Sequence, residues 1–211
     1  MKSIALFGAT GQTGQEFLQQ ALDAGYAIRA LARTPEKLPL TSPQLEVIRG
    51  DVLVQADVAR AVAGTDLVVS LFGHVKGSPD WLQTEGTENI VEAMEKYGVD
   101  RIISLSGGGL PYPEKDRPKL PDKIIRWVMK LAVPQILNDA GRHAAVLRDS
   151  GLQWTIVRGP RLTNEPKRGA YRVGWVGVDA GMKLGRADLA DFILRLVEEE
   201  RYDGEMPFVS Y

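Results

Sequence analysis

The sequence predicts an α/β fold: one doubly wound domain with a mainly parallel sheet and helices on both faces. Three observations predict it. At 211 residues the chain is long enough for one well-filled core and short for two independent ones. Short, unbroken apolar runs alternate with segments of helical periodicity, the pattern of buried parallel strands joined by crossover helices. A glycine cluster stands between the first apolar run and the first helical segment.

The elements follow in order. Residues 3–7 form the first strand, and the helix after the glycines carries Phe17, Leu18, Ala21 and Leu22 on one face and stops at Gly25. Strands at 26–31 and 45–48, a helix at 54–63 and a strand at 66–71 continue the alternation. A longer helix at 84–97 ends at Gly98, and a strand returns at 101–105. The run from Gly107 to Pro113 breaks the pattern and opens a polar excursion through Asp122. A helix at 123–133 offers Ile124, Val128 and Leu131 for an apolar face, and Pro134 interrupts it. A helix at 137–149, a strand at 154–157, a strand at 171–176, a last helix at 186–197 and a short tail strand complete one domain over 1–211. Two excursions, 107–134 and 159–185, are expected to face substrate within it.

Composition narrows the function. The 26 basic and 27 acidic residues nearly cancel, which gives no global field for a nucleic acid. With no cysteine and 2 histidines, disulfides, thiolate chemistry and a metal centre are not expected. No apolar stretch approaches the roughly 20 residues that span a bilayer, and the N-terminal run is too short for a signal peptide. The expectation is a cytoplasmic protein, monomeric, with no nucleic-acid or membrane partner; the last amphipathic helix reads as core-facing.

The glycine cluster is Gly8-Ala9-Thr10-Gly11-Gln12-Thr13-Gly14. Placed between strand and helix, Gly8, Gly11 and Gly14 permit a tight turn and close approach to a pyrophosphate, and the helix start offers free N–H groups. That is the signature of a Rossmann-like dinucleotide site, and the loop lacks the Lys followed by Ser or Thr that a Walker loop requires. At the end of the second strand stands Arg33, followed by Thr34, where a basic group suits the 2′-phosphate of NADP(H). The alternative is a surface cation paired with Glu36. After the third strand, Asp51 is placed to meet an adenine amino group and Val52 its ring, although a turn or N-cap role for Asp51 is equally open.

Together these residues resemble the atypical short-chain dehydrogenase/reductases, in particular the biliverdin reductase B or flavin reductase branch. Further matches are Glu85-Gly86-Thr87-Glu88-Asn89, Tyr97-Gly98-Val99-Asp100, Leu147-Arg148-Asp149-Ser150-Gly151 and Tyr202-Asp203-Gly204. The resemblance implies that Leu71, Phe72, Gly73 and His74, with Ser104, Ser106 and Pro160, border the nicotinamide half. It implies an NADPH-dependent reductase of an FMN-like flavin or a biliverdin-like linear tetrapyrrole.

Departures from that pattern bear on substrate. A Thr-Ser pair after the fifth strand is here Ser106-Gly107, and Pro-Pro-His after the sixth is Gly159-Pro160-Arg161. Gly107, Gly108 and Leu110 are expected to leave room for a flat ring and Arg161 to attract a carboxylate or phosphate, unless the glycines serve only a turn and the arginine only solvation. The Tyr and Lys four residues apart that ordinary dehydrogenases use are missing. A ring that delocalises charge needs no strong protein acid, so solvent is the expected proton source, with Ser106 positioning the reactants. Rival readings are an NADP(H)-sensing or assembly protein and a reductase of quinones or other small electrophiles. His74 is read as a coenzyme contact, and His143 as a packing or surface residue.

Overall fold

The computed structural model describes residues 2–211. Strand β1 (Ser3–Phe7) leads through the glycine turn into α1 (Gln12–Asp23) and β2 (Ala27–Ala32); after a short turn come β3 (Leu45–Arg49), α2 (Gln55–Val62) and β4 (Leu67–Ser70). Helix α3 (Leu82–Tyr97) and strand β5 (Arg101–Gly107) follow, then α4 (Leu120–Ala132), α5 (Pro134–Asp149) and β6 (Gln153–Gly159). The C-terminal part holds β7 (Arg161–Thr163), β8 (Arg172–Gly174), β9 (Lys183–Gly185), α6 (Arg186–Glu198) and β10 (Phe208–Ser210).

Eight strands make one sheet in the order β3-β2-β1-β4-β5-β6-β10-β8, parallel throughout except for β8 at the edge, which runs antiparallel to β10. The strand order reverses between β1 and β4, which leaves a crevice at their C-terminal ends. Alternation along β1 decides the two cores: Ile4 and Leu6 face the layer of α1 and α6, while Ala5 and Phe7 face α2, α3 and α5.

The expected doubly wound fold is found. The excursions differ in detail. β7 and β9 form a separate parallel pair within a segment expected to be loop, because three-residue strands carry too few positions to show alternation. Pro134 separates two helices as expected, but sits in the first turn of α5, where its missing N–H costs nothing. Helix α4 departs most: none of its residues is buried, and Ile124, Val128 and Leu131 point to solvent.

Candidate functional site

A groove of about 620 Å³ lies over the ends of β1, β2 and β4. Its floor is the glycine turn. Gly8 has φ +85°, and a Cβ there would lie 2.5 Å from the Phe72 backbone nitrogen. A Cβ on Gly14 would fall 2.1 Å from the Gly8 carbonyl oxygen, so α1 packs against the turn only because both positions lack side chains. No side chain caps α1 at Gly11, leaving its first-turn N–H groups to the groove. This cradle fits a pyrophosphate.

Thr10, Gly11, Gln12 and Thr13 line the groove with Arg33, Asp51, Val52, Leu71, Phe72, Gly73 and His74. Arg33 is exposed and forms no ion pair among the described residues; Glu36, its expected competitor, pairs with Arg49 instead. Asp51 lines the groove, and its Oδ1 also accepts from Leu53 N at 3.1 Å, a turn contact. Two residues given no role from sequence hold this loop: Asp57 Oδ2 accepts from Asp51 N at 2.9 Å, and Asn89 Nδ2 donates to Val52 O at 2.9 Å. Gly86 lets the Phe72 ring rest on α3, since a Cβ there would come within 2.8 Å of that ring.

Several expected contacts fall elsewhere. Thr34 lies outside the groove lining, its exposed side chain beside the short turn after β2. Ser104 is buried under the sheet with its Oγ 3.2 Å from His143 Nε2, since alternation turns it toward α5. Pro160 belongs to a second cavity, and Leu162 and Arg186 close the groove at that end. Ser106 is buried and lines neither cavity; its Oγ is the one buried side-chain polar atom without a hydrogen-bond partner among the described residues.

Beneath the His74 end of the groove lies a polar network with no sequence signature. Asp139 of α5 is fully buried and accepts from His74 Nε2 at 2.6 Å, from Gln83 N at 2.8 Å, and from Thr84 N at 2.9 Å. Burial alone would raise its pKa, but the hydrogen bonds from Thr84, Gln83 and His74 outweigh it and hold the carboxyl below its ordinary value. An ionised carboxylate only accepts, so His74 donates through Nε2. One turn further along α5, His143 Nδ1 lies 2.8 Å from Thr87 Oγ1, and burial pushes its pKa down to about 4. The 3.6-residue period places Asp139 and His143 on one face; nothing local shows that β5 and the start of α3 meet that face.

The second cavity, about 760 Å³, lies between the two excursions. Gly107, Gly108, Leu110 and Arg161 all line it, together with the inner side of α4. Its frame is an ion pair: Arg158, fully buried in β6, donates through Nη1 and Nη2 to Asp116 at 2.8 and 2.9 Å. Lys123, Arg126 and Arg161 also line the cavity and form no ion pair among the described residues. Successive residues Arg161 and Leu162 border the second cavity and the groove, so the two sites adjoin.

A parallel sheet with a switch-point crevice, a glycine cradle and an arginine at the end of β2 define a dinucleotide-binding protein. Residues 8–200 match the NAD(P)H-binding family, and the chain belongs to it. Among curated relatives, an uncharacterized chloroplastic protein of Arabidopsis thaliana is 29% identical over 80% of this chain; the chain spans 62% of its length. A short-chain dehydrogenase/reductase from Veillonella parvula, solved in complex with NADP, superposes with a TM-score of 0.81 at 20% identity over 100% of this chain and 94% of that one. The anaerobilin reductase ChuY from Escherichia coli O157:H7 superposes with a TM-score of 0.79 at 21% identity, covering 100% and 97% of the two chains. At those identities the structures speak for the fold.

Proposed function

We propose that the chain is an NADPH-dependent reductase of flat, conjugated, anionic acceptors, of the FMN or linear tetrapyrrole class. The observation that carries this reading is the second cavity: large, apolar in its glycine and Leu110 walls, adjoining the dinucleotide groove, and edged by the unpaired cations Lys123, Arg126 and Arg161. A ring fits the glycine wall, and peripheral carboxylates or a phosphate answer the cations. The tetrapyrrole-related name of one structural neighbour agrees with this reading.

Bound dinucleotide supplies a hydride, and solvent completes the two-electron reduction with a proton. The chain's own residues bind and align. The α1 N-terminus holds the pyrophosphate, Arg33 selects a 2′-phosphate, and Arg161 holds the acceptor over the nicotinamide end. Ser106, buried at the end of β5 with an unpartnered hydroxyl, lines neither cavity, so alignment of the reactants rests on Arg33 and Arg161. No Tyr/Lys pair is needed, because charge arriving on the acceptor spreads over its ring.

The test is NADPH and NADH oxidation by purified protein with FMN and biliverdin as separate acceptors. NADPH-specific turnover is expected. Arg33→Ser should raise the KM for NADPH on the order of tenfold or more and leave NADH unaffected, while Arg161→Ala should do so for the acceptor alone. Tight NADPH binding with neither acceptor turned over favours a sensing or assembly role. Efficient turnover of quinones with slow flavin and bilin reactions overturns the acceptor class and keeps the reductase.

A further inference from the structure

We propose that α4 docks this protein on an anionic lipid surface, lying in the plane of the headgroups. The helix runs from Leu120 to Ala132 and buries none of its residues, although half of it is large and apolar. Leu120, Ile124, Trp127, Val128 and Leu131 recur at the spacing of one helical stripe and are 72, 54, 62, 49 and 66% exposed. The side turned to the body of the protein carries half-buried Asp122, Arg126 and Met129, which line the second cavity. The apolar stripe therefore faces outward with nothing to cover it.

A second stripe decides what covers it. Lys119, Lys123, Arg126 and Lys130 stand at i, i+4, i+7 and i+11, each one residue before an apolar position, so a basic row runs between the apolar row and the cavity side; Lys119 and Lys130 stand clear of the cavity that Lys123 and Arg126 also line. None of these four forms an ion pair among the described residues. The single acid of the helix, Asp122, accepts from Lys119 N at 2.8 Å on the inner side. A second copy packed through the apolar stripe would bring two basic rows together with no carboxylate in either to answer them. Anionic headgroups answer them, and an exposed Trp beside a Lys/Arg flank is the composition of interfacial helices.

Crossing is excluded by length: 13 residues of helix reach about 20 Å, and no helix among the described residues is long and apolar enough to cross a membrane. The proposal departs from the expectation of no membrane partner, which rested on the lack of a spanning stretch and on the last helix. α6 does turn its apolar face to the core; α4 does not. Because Ile125 and Met129 also wall the second cavity, lipid contact and acceptor entry involve the same helix.

The experiment is co-sedimentation of the full chain with large vesicles of phosphatidylcholine containing about 30% phosphatidylglycerol, against phosphatidylcholine alone. Binding is expected to the anionic vesicles only and to be reversed by roughly 0.5 M salt. Trp127→Asp combined with Leu131→Asp should lower partitioning at least about tenfold, and Lys130→Ala about fivefold. NADPH binding by these variants stays unchanged, which separates loss of docking from loss of fold. Failure to bind anionic vesicles, or equal binding to neutral ones, overturns the proposal. So does a lipid-free dimer in sedimentation velocity that Leu131→Asp dissociates, since the stripe would then belong to a second copy. The readout is sedimentation, so it stands or falls apart from the reductase reading.

Discussion

His143 shows how a single side chain can be legible in type and illegible in role. It is 1% exposed, and its two ring nitrogens face Thr87 and Ser104 in place of water. Loss of hydration holds its pKa near 4, below the ordinary 6.5. Above the ordinary value the ring is neutral in both folded and unfolded chains, and its contribution to stability is fully present. Between 6.5 and about 4 the unfolded chain takes up a proton that the folded one refuses, so stability falls as pH falls through that window. The loss is on the order of 3 kcal/mol. Urea unfolding at about pH 7 and pH 4.5 should show that loss, and the His143→Gln variant should show a visibly flatter dependence; equal slopes in the two proteins would remove His143 from the account. The neighbouring Asp139 was equally hidden. Its partners, Gln83 and Thr84 at the start of α3 and His74 after β4, are remote in sequence, and no local spacing announces such a meeting.

At the scale of elements, the excursions after β5 and β6 are held by Arg158. Its guanidinium reaches Asp116 and the Leu110 and Met206 carbonyls, and Asp116 in turn accepts from Tyr112 N at 2.8 Å and Val176 N at 3.1 Å. Burial alone would raise the Asp116 pKa, but Arg158 outweighs it and holds the carboxyl below its ordinary range. A backbone crossing locks the same place, because a Cβ on Gly177 would lie 1.9 Å from the Arg117 carbonyl oxygen. Asp116→Ala leaves a fully buried guanidinium without its anion, and should cost roughly 3–5 kcal/mol. Chemical denaturation measures that, and acceptor KM should rise because both cavity walls loosen; a change within error would mean that the loops hold without the pair. From sequence, 107–122 is the polar start of a substrate-facing excursion, and its charged residues read as solvation. Its charges looked ordinary because a buried partner for Asp116 lies 42 residues away, inside an apolar strand.

The whole molecule is a sheet with two cores, and coenzyme binding tests it as a unit. The groove takes residues from the ends of β1 and β2, the loops after β3 and β4, the middle of β7 and the start of α6. A ligand held there binds only the assembled fold, so saturation stabilises all of it. At about 100 times its Kd, NADPH should contribute roughly 2.7 kcal/mol, a rise of about 5–10 °C in Tm. Arg33→Ser should remove most of that rise without changing the Tm of the coenzyme-free protein, because Arg33 is exposed and forms no ion pair among the described residues. A Tm of the free variant several degrees lower would mean that Arg33 serves the fold.

The sequence by itself determined the layer order and the coenzyme end of the site. Both are written in short-range patterns: apolar runs of strand length, helical stripes between them, and glycines at a turn where a Cβ of Gly8 or Gly14 would strike backbone. It also supplied the stripe of α4, but could not say which way that stripe faces. Orientation, the pairing of Arg158 with Asp116 and the convergence of His74, Ser104, Asp139 and His143 were decided only by tertiary structure. Each depends on which remote element packs against which face, and burial is a property of the assembled chain, not of its local spacing.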